Sequence, residues 1–92
     1  MAATSFDSTL SNLAELDLNL NNIATIAASS FANLASLQEL RLNNNSLATI
    51  AATQLTGLTK LTYIGLAFNK INKLSKAFSA LANLHVIDLS YN

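Results

Sequence analysis

The feature that most constrains this chain is an internal repeat. From Leu13, apolar residues fall at Leu13, Leu16, Leu18, Ile23, Ile26, Phe31 and Leu34, with an asparagine at Asn21. The spacing returns at Leu37, Leu40, Leu42, Asn45, Leu47, Ile50, Leu55 and Leu58, and again at Leu61, Ile64, Leu66, Asn69, Ile71, Leu74, Phe78 and Leu81. A fourth unit begins with Leu84, Ile87, Leu89 and Asn92. The first two steps between units are 24 residues and the third is 23, the missing residue falling between Leu74 and Phe78. Units of this length cannot bury an apolar face alone. They bury it against the next unit, so the expected architecture is a stack of coils.

Within one unit, the aliphatic residues at the fourth and sixth positions alternate with polar ones, which is strand periodicity. A strand of about three to five residues is expected there, its apolar side chains pointing into the coil and the residues between them pointing out. Successive units then place these strands side by side and parallel. Parallel strands need a long return connection, and the rest of each unit supplies it, with a helical turn expected around Phe31, Leu55 and Phe78. Asn33 and Gly57 stand where that turn closes, and both residue types tolerate left-handed backbone. Ala80 stands at the same place in the third unit, where the closure should differ.

The asparagines at the ninth position, Asn21, Asn45, Asn69 and Asn92, fall where the chain leaves the strand. A turn buried between coils hides backbone groups from water, and an amide side chain carries both donors and an acceptor to satisfy them. The four are therefore expected to be structural and to stack as a hydrogen-bonded ladder.

The wording L-x-x-L-x-L-x-x-N-x-L, followed by I/L-x(4)-F/L-x-x-L, resembles the leucine-rich repeat family in its 24-residue "typical" subtype. The segment Ile87-Asp88-Leu89-Ser90-Tyr91-Asn92 is close to the family's commonest form. The resemblance covers Leu13 to Asn92. It implies an α/β repeat fold: a right-handed solenoid with short parallel strands on a concave face and turns or short helical segments on the convex face. It also implies recognition of a protein or peptide through the concave face, no cofactor, and an extracellular or cell-surface parent protein. One departure is the absence of the subtype's frequent proline, in whose place stand Ala27, Ala51 and Ser75. Residues 1–12 read as a partial repeat or degenerate N-terminal cap, with Phe6 and Leu10 echoing Phe31 and Leu34. Residues 13–92 read as repeats with starts at 13, 37, 61 and 84, the last truncated. A piece of a longer array is the expectation, with end-to-end self-association through uncapped termini if the chain stands alone.

Outward residues of neighbouring strands form columns across the face. The third position gives Glu15, Glu39, Tyr63 and Val86, and the fifth gives Asp17, Arg41, Gly65 and Asp88. The seventh gives Asn19, Asn43, Ala67 and Ser90, and the eighth Leu20, Asn44, Phe68 and Tyr91. The first two units are acidic, with Glu15 beside Glu39 and Asp17 beside Arg41. The last two are aromatic and apolar, opened by Gly65 and Ala67. Like charges held side by side cost stability, and tyrosine is enriched at binding hot spots. The candidate partner-binding set is Glu15, Asp17, Glu39, Arg41, Tyr63, Phe68 and Tyr91, suited to an amphipathic or basic peptide. A solvated strand face is the plain alternative.

Composition narrows the function further. Apolar residues make up 51% of the 92 residues and charged residues 11%, under half the charged share of an ordinary soluble chain, which excludes disorder. Five basic residues balance five acidic ones, so no overall field draws the chain to nucleic acid, and Lys60, Lys70, Lys73 and Lys76 read as a solvated edge. No apolar run approaches the length of a membrane span, and Met1–Asp7 carries no secretory signal pattern. With no cysteine and a single histidine, His85, no metal site is expected. No nucleophile elbow or phosphate loop is present. Asn44-Asn45-Ser46 matches a glycosylation sequon, as chance allows in a chain this rich in asparagine. The expected function is a protein- or peptide-binding module and not an enzyme. The rivals are a passive spacer or stalk of a surface protein, and the substrate-recognition arm of an enzyme whose catalytic domain lies elsewhere.

Overall fold

A computed structural model describes residues 6–92. Six strands of three residues each follow one another: β1 (Glu15–Asp17), β2 (Glu39–Arg41), β3 (Thr49–Ala51), β4 (Tyr63–Gly65), β5 (Lys73–Ser75) and β6 (Val86–Asp88). β1, β2, β4 and β6, one from each unit, form a four-stranded parallel sheet in that order. The register is that of the repeat: Leu16 pairs with Leu40, Leu40 with Ile64, and Ile64 with Ile87. The inner leucine row therefore runs unbroken through all four coils.

The ladder repeats at the same interval. Leu18 N–H donates to the Arg41 carbonyl, Leu42 N–H to Gly65 and Leu66 N–H to Asp88, each at 2.8 Å. Hydrophobic burial follows the stacking. Leu37, Leu40, Leu42, Leu47, Ile50, Leu61, Ile64 and Leu66 have no exposed surface. The outer coils are covered on one side only, so Leu16, Leu18 and Ile23 are half-buried and Ile87 is 40% exposed. Each fully buried leucine of the middle units is worth about 1.5–3 kcal/mol of transfer free energy, and only a neighbouring coil supplies it.

The return connections differ from expectation in three ways. First, a 3-10 helix forms only in the second unit, Ala52–Leu55, where the Gln54 side chain accepts from Ala51 N–H at 2.9 Å and donates to the Ile26 carbonyl of the coil before at 2.8 Å. Around Phe31 and Phe78 the chain makes single turns instead, with Leu34 N–H donating to Phe31 and Leu81 N–H to Phe78. Second, of the three closing positions only Gly57 is left-handed, at φ +92°. A Cβ there would lie 2.8 Å from the Ala32 backbone, so glycine lets two coils approach. Asn33 needs no such backbone, and its amide donates to the Phe6 carbonyl at 2.6 Å. Third, β3 and β5 pair in parallel as a second sheet, Ile50 against Leu74, which the alternation around the first sheet did not announce.

In the short third unit Lys76, two residues before Phe78, is left-handed at φ +50°, as Ser29, two residues before Phe31, is at φ +62° in the full-length first unit. Between the second unit's 3-10 helix and the 77–81 turn lies a cleft of about 250 Å³, lined by Leu55, Leu58, Ala77, Ala80 and Leu81 among others. At the other end, the expected partial unit over 1–12 lies outside the described residues at 1–5. From Phe6 it forms a 3-10 turn, Ser8–Leu10, capped by the Asp7 side chain. Phe6 stacks on Phe31 with ring centroids 5.9 Å apart.

Candidate functional site: the strand face and its rim

Two sets of asparagines brace the face. At the ninth position, the Asn45 amide donates to the carbonyls of Leu18 in the coil before (3.0 Å) and of Leu42 in its own (3.0 Å), while its oxygen accepts from Ile23 N–H at 3.1 Å. Asn69 repeats this on Leu42, Leu66 and Leu47 N–H, and Asn92 on Leu66, Leu89 and Ile71 N–H. The amides bond the backbone of two coils, not one another, so the ladder is one of side chain to main chain. Only the inner pair, Asn45 and Asn69, is buried, each 7% exposed. Asn21 and Asn92 are exposed, and Asn21 donates only within its own coil, to Leu18 and Asn19.

At the seventh position stands a second brace that the columns alone did not disclose. The Asn19 oxygen accepts from Asn43 N–H at 2.8 Å, and the Asn43 oxygen accepts from Ala67 N–H at 2.8 Å. The recurrence of asparagine one repeat apart was the available signal, the same one that marks the ninth position.

The outward columns stand in the expected register: Glu15 beside Glu39, Glu39 beside Tyr63, Tyr63 beside Val86. Arg41, expected to relieve Asp17, turns instead to Glu39 on its own strand, Nη2 to Oε2 at 2.8 Å. Its guanidinium carbon also lies 5.5 Å from the Tyr63 ring centroid, a cation–π distance. Asp17 accepts from Asn19 N–H at 2.9 Å. Glu39, Arg41 and Tyr63 are thus one packed group, and Glu15 and Asp17, both exposed, stand apart from it.

Gly65 does not open the face. A Cβ on it would meet the Asn43 amide nitrogen at 2.8 Å and the Tyr63 hydroxyl at 3.0 Å, so both side chains already occupy the space above the glycine. Ala67 is likewise buried.

The eighth position forms the rim. Leu20, Asn44, Phe68 and Tyr91 all adopt left-handed backbone, φ +56° to +58°. The bend has a physical purpose: each unit must turn from an outward strand to an inward asparagine one residue later. Leu20, Asn44 and Phe68 also donate their N–H to the next coil, on Asn43, Ala67 and Ser90. The side chains are thrown outward. Phe68 and Tyr91 stack with centroids 4.4 Å apart and planes 8° from parallel, yet remain 50% and 74% exposed. At the last strand, the hydroxyl and backbone N–H of Ser90 hold the Asp88 carboxyl below the usual carboxylate range.

His85 is exposed, its Nδ1 directed at the Asn83 carbonyl. Among the described residues no group of three or more histidine, cysteine or carboxylate side chains is placed to hold a metal ion, and no helix is long and apolar enough to cross a membrane.

The family model described as leucine rich repeat matches residues 1–47 and 36–92, and so the whole chain. No curated protein matches it.

Proposed function

Because the chain belongs to the leucine-rich repeat family, whose members are generally protein-interaction modules, we propose that it holds a protein or peptide against the face formed by β1, β2, β4 and β6. The observation that carries this reading is the Phe68–Tyr91 pair. Two large rings stack on each other in water at the rim of the face and keep 50% and 74% of their surface exposed. Apolar area left open in this way is what a partner covers. Beside it the face offers Tyr63 and Arg41 held rigid by packing, so little side-chain entropy is lost on contact. Glu15, Asp17 and Glu39 supply charge on the same sheet. A catalytic role is not part of the reading, since these carboxylates stand on an open face rather than in a pocket that would shift a pKa.

The test is selection of a random peptide library on the immobilised protein, followed by titration of the enriched peptides against a Tyr63→Ala/Phe68→Ala variant. Peptides that recognise the face lose most of their affinity for the variant while its circular dichroism is unchanged. Enriched peptides that bind the variant as they bind the parent would favour a passive spacer.

A further inference from the structure

We infer that the partner segment is extended and carries a cationic side chain and, about four residues away, an apolar one, with the cation over β1 and the apolar group over β6. The inference rests on the concave-face reading above and adds the chemistry and spacing of the ligand.

The charge on the sheet is not spread evenly. Glu39 is already paired with Arg41 at 2.8 Å, the only ion pair among the described residues. Asp88 accepts hydrogen bonds from both the hydroxyl and the N–H of Ser90. Glu15 and Asp17 are exposed on β1 and make no ion pair among the described residues, the Arg41 beside Asp17 in the register being turned to Glu39. Asp17 likewise accepts from Asn19 N–H. Neutral donors leave a carboxylate its charge, so the unpaired negative charge is weighted to the β1 end, with Glu15 and Asp17 there against Asp88 alone on β6. At the other end of the same third-position column stands Val86, 50% exposed, with Tyr63 between. A ligand that crosses the strands meets acid first, then an aromatic ring, then an aliphatic side chain.

The pairing fixes the spacing. Glu15 and Val86 are three strand steps apart, about 14 Å at roughly 4.8 Å per step, and an extended peptide rising about 3.3 Å per residue crosses that span in about four residues. Arg41 is engaged by both Glu39 and the Tyr63 ring, which leaves the face without a free cation for an acidic segment.

The experiment uses dye-labelled eight-residue peptides, serine and threonine except at two positions, titrated by fluorescence anisotropy in low salt. The first peptide has lysine at position 2 and leucine at position 6. The second has the leucine at position 3, and the third replaces the lysine with glutamate. The first should bind about fivefold or more tightly than either of the others. Its advantage over the glutamate peptide should vanish for a Glu15→Gln/Asp17→Asn variant, and should fall as salt is added. Equal binding of all three peptides, or no binding of any at millimolar concentration, overturns the inference. If the three bind equally but Tyr63→Ala/Phe68→Ala still abolishes binding, the face reading stands and the spacing fails. If that variant binds unchanged, both fail.

Discussion

The side-chain amides of Asn45 and Asn69 meet on one acceptor, the carbonyl oxygen of Leu42, at 3.0 and 2.9 Å. The same sharing recurs on Leu18, used by Asn21 and Asn45, and on Leu66, used by Asn69 and Asn92. A carbonyl has two lone pairs, and each of these oxygens fills them with the asparagine of its own coil and that of the next. The coils are thereby tied through the main chain as well as through their leucines.

Removing an inner asparagine strands several groups at once. Asn45→Ala leaves the Ile23 N–H without its acceptor and takes a donor from three carbonyls, those of Leu18, Leu42 and Asn43. A loss of about 1–3 kcal/mol is expected for Asn45→Ala and for Asn69→Ala, read from urea midpoints. Asn21→Ala should cost clearly less, because Asn21 is exposed and bonds only its own coil. Equal, small losses at all three positions would contradict a role in tying coils together.

The rim offers a stabilising substitution. Leu20 is 79% exposed and sits at φ +58°, a backbone that costs most side chains roughly 1–2 kcal/mol and asparagine less. The equivalent residue in the next unit is Asn44, at the same φ. Leu20→Asn is therefore expected to raise stability by about 0.5–1 kcal/mol. A lowered melting temperature would show that Leu20 packs on something the exposure does not reveal.

Gly65 and Asn43 should be coupled. Gly65→Ala drives a methyl group into the Asn43 amide, which then releases Ala67 N–H, at a cost of about 1 kcal/mol. In an Asn43→Ala background only the Tyr63 hydroxyl, at 3.0 Å, still crowds the added methyl group, and the same substitution should cost less. A double-mutant cycle measures the difference, and additive losses would mean that Asn43 yields freely.

Asp88 predicts a pH dependence. Its carboxyl is held below its ordinary value by the two Ser90 hydrogen bonds. The folded pKa thus lies below the unfolded one, and the contribution is complete above the unfolded value, about 3.9. It is lost as pH falls through the folded value. Ser90→Ala should lower the melting temperature at pH 7, with the gap to the parent closing toward pH 2. A gap independent of pH would assign the effect to something other than the carboxylate.

The fold was legible because the repeat carries it. Leucine at the fourth and sixth positions fixes the strand, and the interval of 24 residues fixes the register that pairs Leu16 with Leu40 and Ile64. The second sheet was not legible, because Thr49–Ala51 and Lys73–Ser75 show no alternation longer than three residues and become strands only by lying side by side. The Ala51 N–H, which a proline would lack, is taken by the Gln54 side chain of its own coil rather than by the ladder. On the face, the columns could be read from the spacing, but the choices within them could not. Arg41 can reach Glu39, Asp17 or Tyr63, and which it takes depends on rotamers that the sequence does not encode locally. The space over Gly65 looked open for the same reason, since only the fold brings Asn43 and Tyr63 across it.

The central claim is that four coils stack in register on one inner row. Neighbouring members of that row lie one strand step apart, about 4.8 Å. A methyl NOESY spectrum of selectively labelled protein should connect Leu16 to Leu40, Leu40 to Ile64 and Ile64 to Ile87, with no cross-peak that skips a coil. Methyl groups of Leu40 that see neither Leu16 nor Ile64 would contradict it.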